Sequence, residues 1–204
     1  MVAISKTRPS ELNKHQIKTE ATLRDLLDAA EIVFVREGFE KAQIENIAAE
    51  IGRTRGSVYA HFKNKEDLFI ALVERRARTH IEFIKQSMAD LSPQLQRAWL
   101  RDAFADCISD DKWYILLLEF KLFALRNKTS KARVKALYKL VSADIAQIFQ
   151  DASTGRKKSV DFATAVIRGI PSALVIERQF QPVLQDDDAV RGALMDIFDA
   201  LFPA

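Results

Sequence analysis

Apolar residues recur at helical spacing along nearly the whole chain, and no strand-like alternation of useful length is present. Leu23, Leu26, Leu27, Ala30 and Phe34 form one stripe, predicting a first helix from about Thr22 to Glu37 that Gly38 ends. Ile44, Ile47, Ala48 and Ile51 fall at i, i+3, i+4 and i+7, the spacing of one face of a two-turn helix. Gly52 tolerates the positive φ that often follows a helix end, and Thr54 stands where it can cap a third helix. In that third helix Val58 and Phe62 point inward. Arg55, Ser57, Tyr59, Ala60 and His61 are left on the outside.

A fourth helix is predicted to open at Asn64, a capping residue, with Glu66 and Asp67 at the positive end of its macrodipole. Leu68, Phe69, Leu72, Val73, Ile81 and Ile84 carry its apolar face onward, making it a long connector between two domains. The pattern then repeats, each helix opening on a cap. Ser92-Pro93 opens one with Leu95, Trp99, Ala103 and Phe104; Asp110-Asp111 opens Trp113 to Arg126; Ser130 opens one running to Phe149. Gly155 to Lys158 reads as a basic loop, followed by helices at about Ser159 to Arg178 and Asp187 to Phe202. Pro171 should kink or break the former near Gly169, because it removes a backbone donor and disfavours helical geometry at Ile170.

The expected fold is therefore all-α, with about nine helices. Residues 1–20 read as a flexible basic arm, 21–66 as a helix-turn-helix domain, and 67–204 as a second helical domain. Across the 204 residues, 48% are hydrophobic, enough for a packed globule, and six glycines with five prolines are few for an all-β protein. A net charge of +3 is too mild to imply nucleic acid, but its placement is informative. Gly52 to Lys65 holds Arg53, Arg55, Lys63 and Lys65 with no acid, the cationic surface that phosphate contact requires.

Cys107 is the only cysteine, so an intrachain disulfide is excluded; its apolar surroundings suit a structural thiol in a reducing compartment. The longest strongly apolar run, Trp113 to Leu118, is too short to cross a bilayer, and the N-terminus lacks a signal-peptide core, so the expected location is cytoplasmic. His15, His61 and His80 are too scattered to suggest a metal site. No nucleophile-base-acid pattern or Gly-rich phosphate loop appears, so neither an enzyme nor a cofactor is expected.

Ile47-Ala48, then Arg55-Gly56-Ser57-Val58-Tyr59-Ala60-His61-Phe62, then Lys63-Asn64-Lys65-Glu66-Asp67-Leu68 together resemble the DNA-binding motif of the TetR family of transcriptional regulators. The close match covers about twenty consecutive positions with their spacing intact. The resemblance implies a dimer that inserts its third helices into successive major grooves of double-stranded DNA. It places Thr54, Arg55, Ser57, Tyr59, His61 and Lys65 at DNA-contacting positions, with Gly56 allowing close approach. Ser57, Tyr59, His61 and Lys65 would chiefly meet phosphates, and Arg55 would read guanine. Two positions depart from the pattern. Ala42 and Gln43 stand where the family has Ser or Thr, leaving Gln43 to supply the cap or the phosphate donor. Glu45 near phosphate must either accept from a cytosine amino group or pair with an arginine.

In the second domain Val190, Leu194, Ile197 and Leu201 follow 4-3-4 spacing, with Phe198 beside them, the character of a subunit seam. Phe162, Val166 and Ala173 offer a matching face on the preceding helix, and the resemblance implies that these helices form a homodimer interface. Trp99, Trp113, Phe120, Phe123 and Tyr138 lie in an aromatic-rich region able to enclose a small-molecule effector. Glu119, Arg126 and Glu177 interrupt that region, as salt-bridged structural groups or as polar anchors. The effector would be apolar or amphipathic, and cationic if Glu119 lines the cavity. The functional expectation is a ligand-responsive repressor acting at a palindromic operator. The alternatives are an architectural DNA-binding protein without an effector and, on weaker grounds, an enzyme.

Overall fold

The computed structural model describes residues 9–107, 110–151 and 157–203. Its described α-helices are α1 (Pro9–Glu37), α2 (Ile44–Glu50), α3 (Arg55–Tyr59), α4 (Lys65–Met88) and α5 (Pro93–Ala105), then α6 (Asp111–Arg126), α7 (Lys128–Asp151), α8 (Lys157–Ile167), α9 (Ile170–Glu177) and α10 (Asp187–Leu201). A short 3-10 turn, Pro182–Gln185, precedes α10. The chain divides into two compact units, Met1–Leu72 and Val73–Ala204.

The first unit is built on an aromatic triad. Phe34 of α1, Phe39 of the following loop and Phe69 of α4 are all buried, with ring centroids 5.0 to 5.8 Å apart. Burying each ring contributes about 1.5–3 kcal/mol, and edge-to-face pairs add roughly 0.5–1.5 kcal/mol. Leu26, Ala30, Ile47, Val58, Leu68 and Leu72 complete the core from the faces their spacing predicted, joined by Val33, which the stripe did not include. Gly38 (φ 78°) lets the chain leave α1 in a conformation that a side chain would strain. Asn64 caps α4 as expected, its Oδ1 accepting from Asp67 N at 2.8 Å.

In the second unit α5 and α10 lie side by side, as do α6 and α7, α7 and α8, and α6 and α9. Phe104, Phe149, Phe198 and Phe202 cluster where α5, α7 and α10 meet. Over them Arg97 and Arg101 of α5 grip Asp199 at 2.7 and 2.8 Å, and Arg97 also donates to the Phe202 carbonyl. Asp110 caps α6 by accepting from Trp113 N, and its carboxylate pairs with Arg76 of α4 at 2.5 Å. Cys107 is half-buried, and burial pushes its thiol up to about 12, in keeping with a structural role. None of the described helices is long and apolar enough to cross a membrane.

Two expectations are corrected. Residues 9–20 belong to α1 rather than to an irregular arm, because Pro9 sets φ for a first turn and the following Leu12, Lys14, Gln16 and Lys18 are good helix formers; residues 1–8 lie outside the described residues. The helix expected over 159–178 breaks near Gly169, as Pro171 predicted, into α8 and α9. The second correction is that α7 opens at Lys128, before Ser130. The cap is Asn127, whose Oδ1 accepts from both Thr129 N and Ser130 N, while the Ser130 side chain is buried. Of the expected loop, residues 155 and 156 fall outside the described residues, and Lys157 and Lys158 already belong to α8.

Candidate functional site

α2 and α3 form a helix-turn-helix set by a small number of backbone contacts. Gly52 at φ 62° turns the chain, and Arg53 N reaches back to Ala48 O at 2.8 Å. Ile44, Ile47 and Ala48 anchor α2; Val58 anchors α3, and Phe62 anchors the turn after it. These inward residues hold the opposite face of α3 outward. Gln43, Thr54, Arg55, Gly56, Tyr59 and His61 are exposed, and Ser57 is half-buried.

Neither predicted hydroxyl or amide cap is made. The Thr54 and Gln43 side chains form no cap hydrogen bond; both positions cap through extended backbone, and Ser57 Oγ instead donates to Thr54 O at 2.6 Å. Thr54 and Gln43 are thereby left with side chains facing solvent. Glu45 resolves its two alternatives by pairing with Arg55 at 2.7 Å. Arg55 also lies over the Tyr59 ring, 5.1 Å from its centroid, and donates to the Tyr59 hydroxyl at 3.4 Å. Tyr59 and Glu45 together raise the pKa of Arg55, so its positive charge is secure.

Lys65 is more constrained than a free phosphate donor. Its ammonium donates to Glu40 O at 2.8 Å and Ala42 O at 3.0 Å, and sits 5.0 Å from the Phe39 centroid. Partial burial lowers its pKa, so the lysine ties the loop after α1 to the start of α4. One of its three donors is left for another acceptor. Gly56 is not demanded by packing: a Cβ there would meet only Thr54 Oγ1, at 3.8 Å. Its open side is the outward one.

This geometry can be set beside known proteins. Residues 26–72 match the family model described as bacterial regulatory proteins, tetR family. The helix-turn-helix segment is thus similar to that of the TetR family. Among relatives, YwcC of Bacillus subtilis, an HTH-type transcriptional regulator, is 34% identical over 64 residues, 31% of this chain and 29% of that protein. YfiR of the same organism, also an HTH-type transcriptional regulator, is 24% identical over 144 residues, 70% of this chain and 69% of that protein. Against YwcC, then, the chain covers less than a third of the relative's length. Among solved structures, the regulator FadR from Bacillus subtilis in complex with stearoyl-CoA has a similar fold, with a TM-score of 0.62 at 20% identity, covering 84% of this chain and 97% of that one.

In the second unit the aromatic residues expected around an effector divide into separate groups. Trp113 is buried beneath the Arg76 guanidinium, 4.2 Å away. Phe120 is buried beside Phe123, and Tyr138 lies half-buried between Lys121 and Arg168. Trp99 pairs instead with exposed Phe83, at 6.1 Å. Glu119 is corrected: it faces solvent, as do Arg126 and Glu177, because the buried stripe of α6 runs through Trp113, Leu116, Phe120 and Ala124. A carboxylate at Glu119 therefore gives no reason to expect a cationic ligand. Thr164, Arg168 and Ser172 are polar positions in the second unit that the sequence reading did not single out, the two hydroxyls being buried. Their signal was polar residues four apart inside the apolar run Ala163 to Leu174.

The expected subunit seam also changes. Val190, Leu194 and Phe198 are buried within their own unit, Leu194 to 2% exposure, because that face of α10 packs on α5 and the phenylalanine cluster; Leu201 is half-buried. Phe162 (71% exposed), Val166, Ala173 and Ile197 remain on the surface, joined by Phe180 and Val183.

Proposed function

We propose that the protein is a ligand-responsive, DNA-binding transcriptional regulator that acts as a homodimer and represses genes from a palindromic operator. The observation that carries this reading is α3 held by Val58 and Phe62 so that Arg55, Gly56, Tyr59 and His61 face outward, inside the segment that matches the TetR family. A helix so displayed suits the major groove, with Arg55 reading a base edge and Thr54, Ser57, Tyr59, His61 and Gln43 meeting phosphates. Lys65 adds its remaining donor to a phosphate while it braces the loop.

The exposed apolar residues Phe162, Val166, Ala173 and Ile197 support self-association, since large exposed apolar side chains mark surfaces that a partner can cover. An effector bound in the second unit releases DNA by preferring a conformation in which the two recognition helices are badly spaced. α4 begins in the first unit at Lys65 and continues into the second, which makes it the element for that coupling. FadR, the neighbour solved with stearoyl-CoA, supports an amphipathic effector.

Genome-wide mapping of bound DNA is the test. Recovery of a pseudo-palindromic site, bound with a steep salt dependence in purified form, is the expected result. Binding that ignores sequence and spreads over the chromosome would leave an architectural role in its place.

A further inference from the structure

A buried polar stripe lies on α8 and α9. Thr164 and Ser172 are 3% and 6% exposed, and neither hydroxyl oxygen has a hydrogen-bond partner. A buried hydroxyl without a partner costs roughly 1–3 kcal/mol, so two on one stripe require a reason. They stand four residues before and four residues after Arg168. Gly169 keeps right-handed helical dihedrals (φ −81°, ψ −29°) across the break between α8 and α9, and the four-residue spacing sets each hydroxyl about one helical turn from Arg168.

Arg168 is half-buried. One guanidinium nitrogen, Nη1, donates to Ser142 Oγ of α7 at 2.6 Å, and the group lies 5.0 Å from the Tyr138 ring centroid. From α6, Lys121 brings a second cation to the same ring, at 5.5 Å. No ion pair joins Arg168 or Lys121 to a carboxylate among the described residues. The neighbouring acids are directed elsewhere: Glu119 and Glu177 are exposed, and Asp144 of α7 lies 4.0 Å from Lys85. Burial lowers the pKa of Arg168, with Tyr138 opposing, so its charge is held at a cost that an arriving anion would offset.

We propose that Arg168, flanked by Thr164 and Ser172, is an oxyanion site where α6, α7 and the α8–α9 junction meet, taking the carboxylate or phosphate head of an amphipathic small molecule. Ser142 leaves the Nε–Nη2 edge of the guanidinium unused, and that edge matches two oxygens of one oxyanion. The two hydroxyls supply further donors, and Lys121 adds long-range attraction. The ligand's apolar part faces the neighbouring apolar side chains of α6 and α7. This inference rests on reading the second unit as an effector domain, and it gives the expected amphipathic ligand an anionic head.

The test uses the full chain without DNA, titrated calorimetrically with octanoate, octyl phosphate and the neutral octanamide. At least one anion should bind about ten-fold or more tightly than octanamide, in line with a charge-assisted hydrogen bond, and should raise the unfolding midpoint. Whichever anion binds better identifies the head group. Arg168→Met should bring the anions down to the affinity of the amide. A Thr164→Val, Ser172→Ala double variant should unfold at an unchanged or higher temperature when unliganded, yet weaken the anion about three-fold or more. Equal binding of anion and amide, or no binding of either, overturns the proposal, as does a preserved anion preference in folded Arg168→Met. If Arg168→Met does not fold, unchanged anion affinity in the double variant overturns it. Operator binding is read separately, so its failure leaves this result standing, and the reverse also holds.

Discussion

Glu45 on α2 holds Arg55 on α3 at 2.7 Å, with both side chains exposed. The cation best suited to read a base is therefore shared with a carboxylate from the preceding helix. To reach a guanine edge, Arg55 must leave Glu45 or use the donors the pair leaves open. Either way Glu45 restrains binding. An exposed pair of this kind contributes little to stability, so its effect belongs to recognition.

Arg55→Ala should cost about 1–3 kcal/mol of operator affinity and relax preference at one base pair per half-site. Glu45→Gln should strengthen binding to operator and random duplexes alike by removing a negative charge near phosphate. Fluorescence anisotropy with both duplexes reads the two effects. Equal losses on operator and random DNA for Arg55→Ala would sink its base-reading role.

Gly56 separates folding from docking. Alanine there meets nothing closer than 3.8 Å, and in a helix it is favoured over glycine by about 1 kcal/mol. Gly56→Ala should thus leave chemical denaturation unchanged or slightly improved while lowering duplex affinity. Gly52→Ala is the contrast: at φ 62° it should destabilise by roughly 1 kcal/mol although its Cβ would find open space. A Gly56→Ala variant with undiminished DNA affinity would mean that the duplex does not approach this face closely.

The surface available for self-association is the one carrying Phe162 and Ile197. Phe162→Glu with Ile197→Glu should give a folded monomer by sedimentation, with helical circular dichroism retained. Leu194→Ala should instead destabilise by about 2–5 kcal/mol, because it opens a cavity in the core. An unaltered dimer in the double glutamate variant would move the interface to another face.

Asp199 makes stability respond to acid. Burial pushes its carboxyl upward, but hydrogen bonds from Arg97 and Arg101 outweigh that and hold its pKa below the ordinary value. A carboxyl lowered on folding stabilises above its unfolded pKa, and the contribution fades as pH falls through the folded value. Asp199→Asn should therefore lower the denaturation midpoint near pH 7 and narrow its gap to the parent below about pH 4. A gap that stays constant from pH 7 to pH 3 would show that the ion pair is not its source.

The sequence by itself determined the all-α fold, the helix-turn-helix and the outward set on α3. Those features depend on local spacing: apolar residues at i, i+3 and i+4, Gly38 and Gly52 at positive φ, Asn64 and Asp110 as caps, and Pro171 at a break all act within a few residues of themselves. Partner choice was not local. The 4-3-4 stripe of Val190, Leu194, Ile197 and Leu201 has the same pattern whether it meets α5 of its own unit or a second chain, and only tertiary packing buried Val190 and Leu194 while leaving Ile197 on the surface. Glu119 could not be placed from its apolar neighbours, because a helix turns about 100° per residue and α6 buried the stripe next to it. Glu45 with Arg55, ten positions apart, and Arg168 with Tyr138 and Ser142 across two helices, are pairs that only the folded chain brings together.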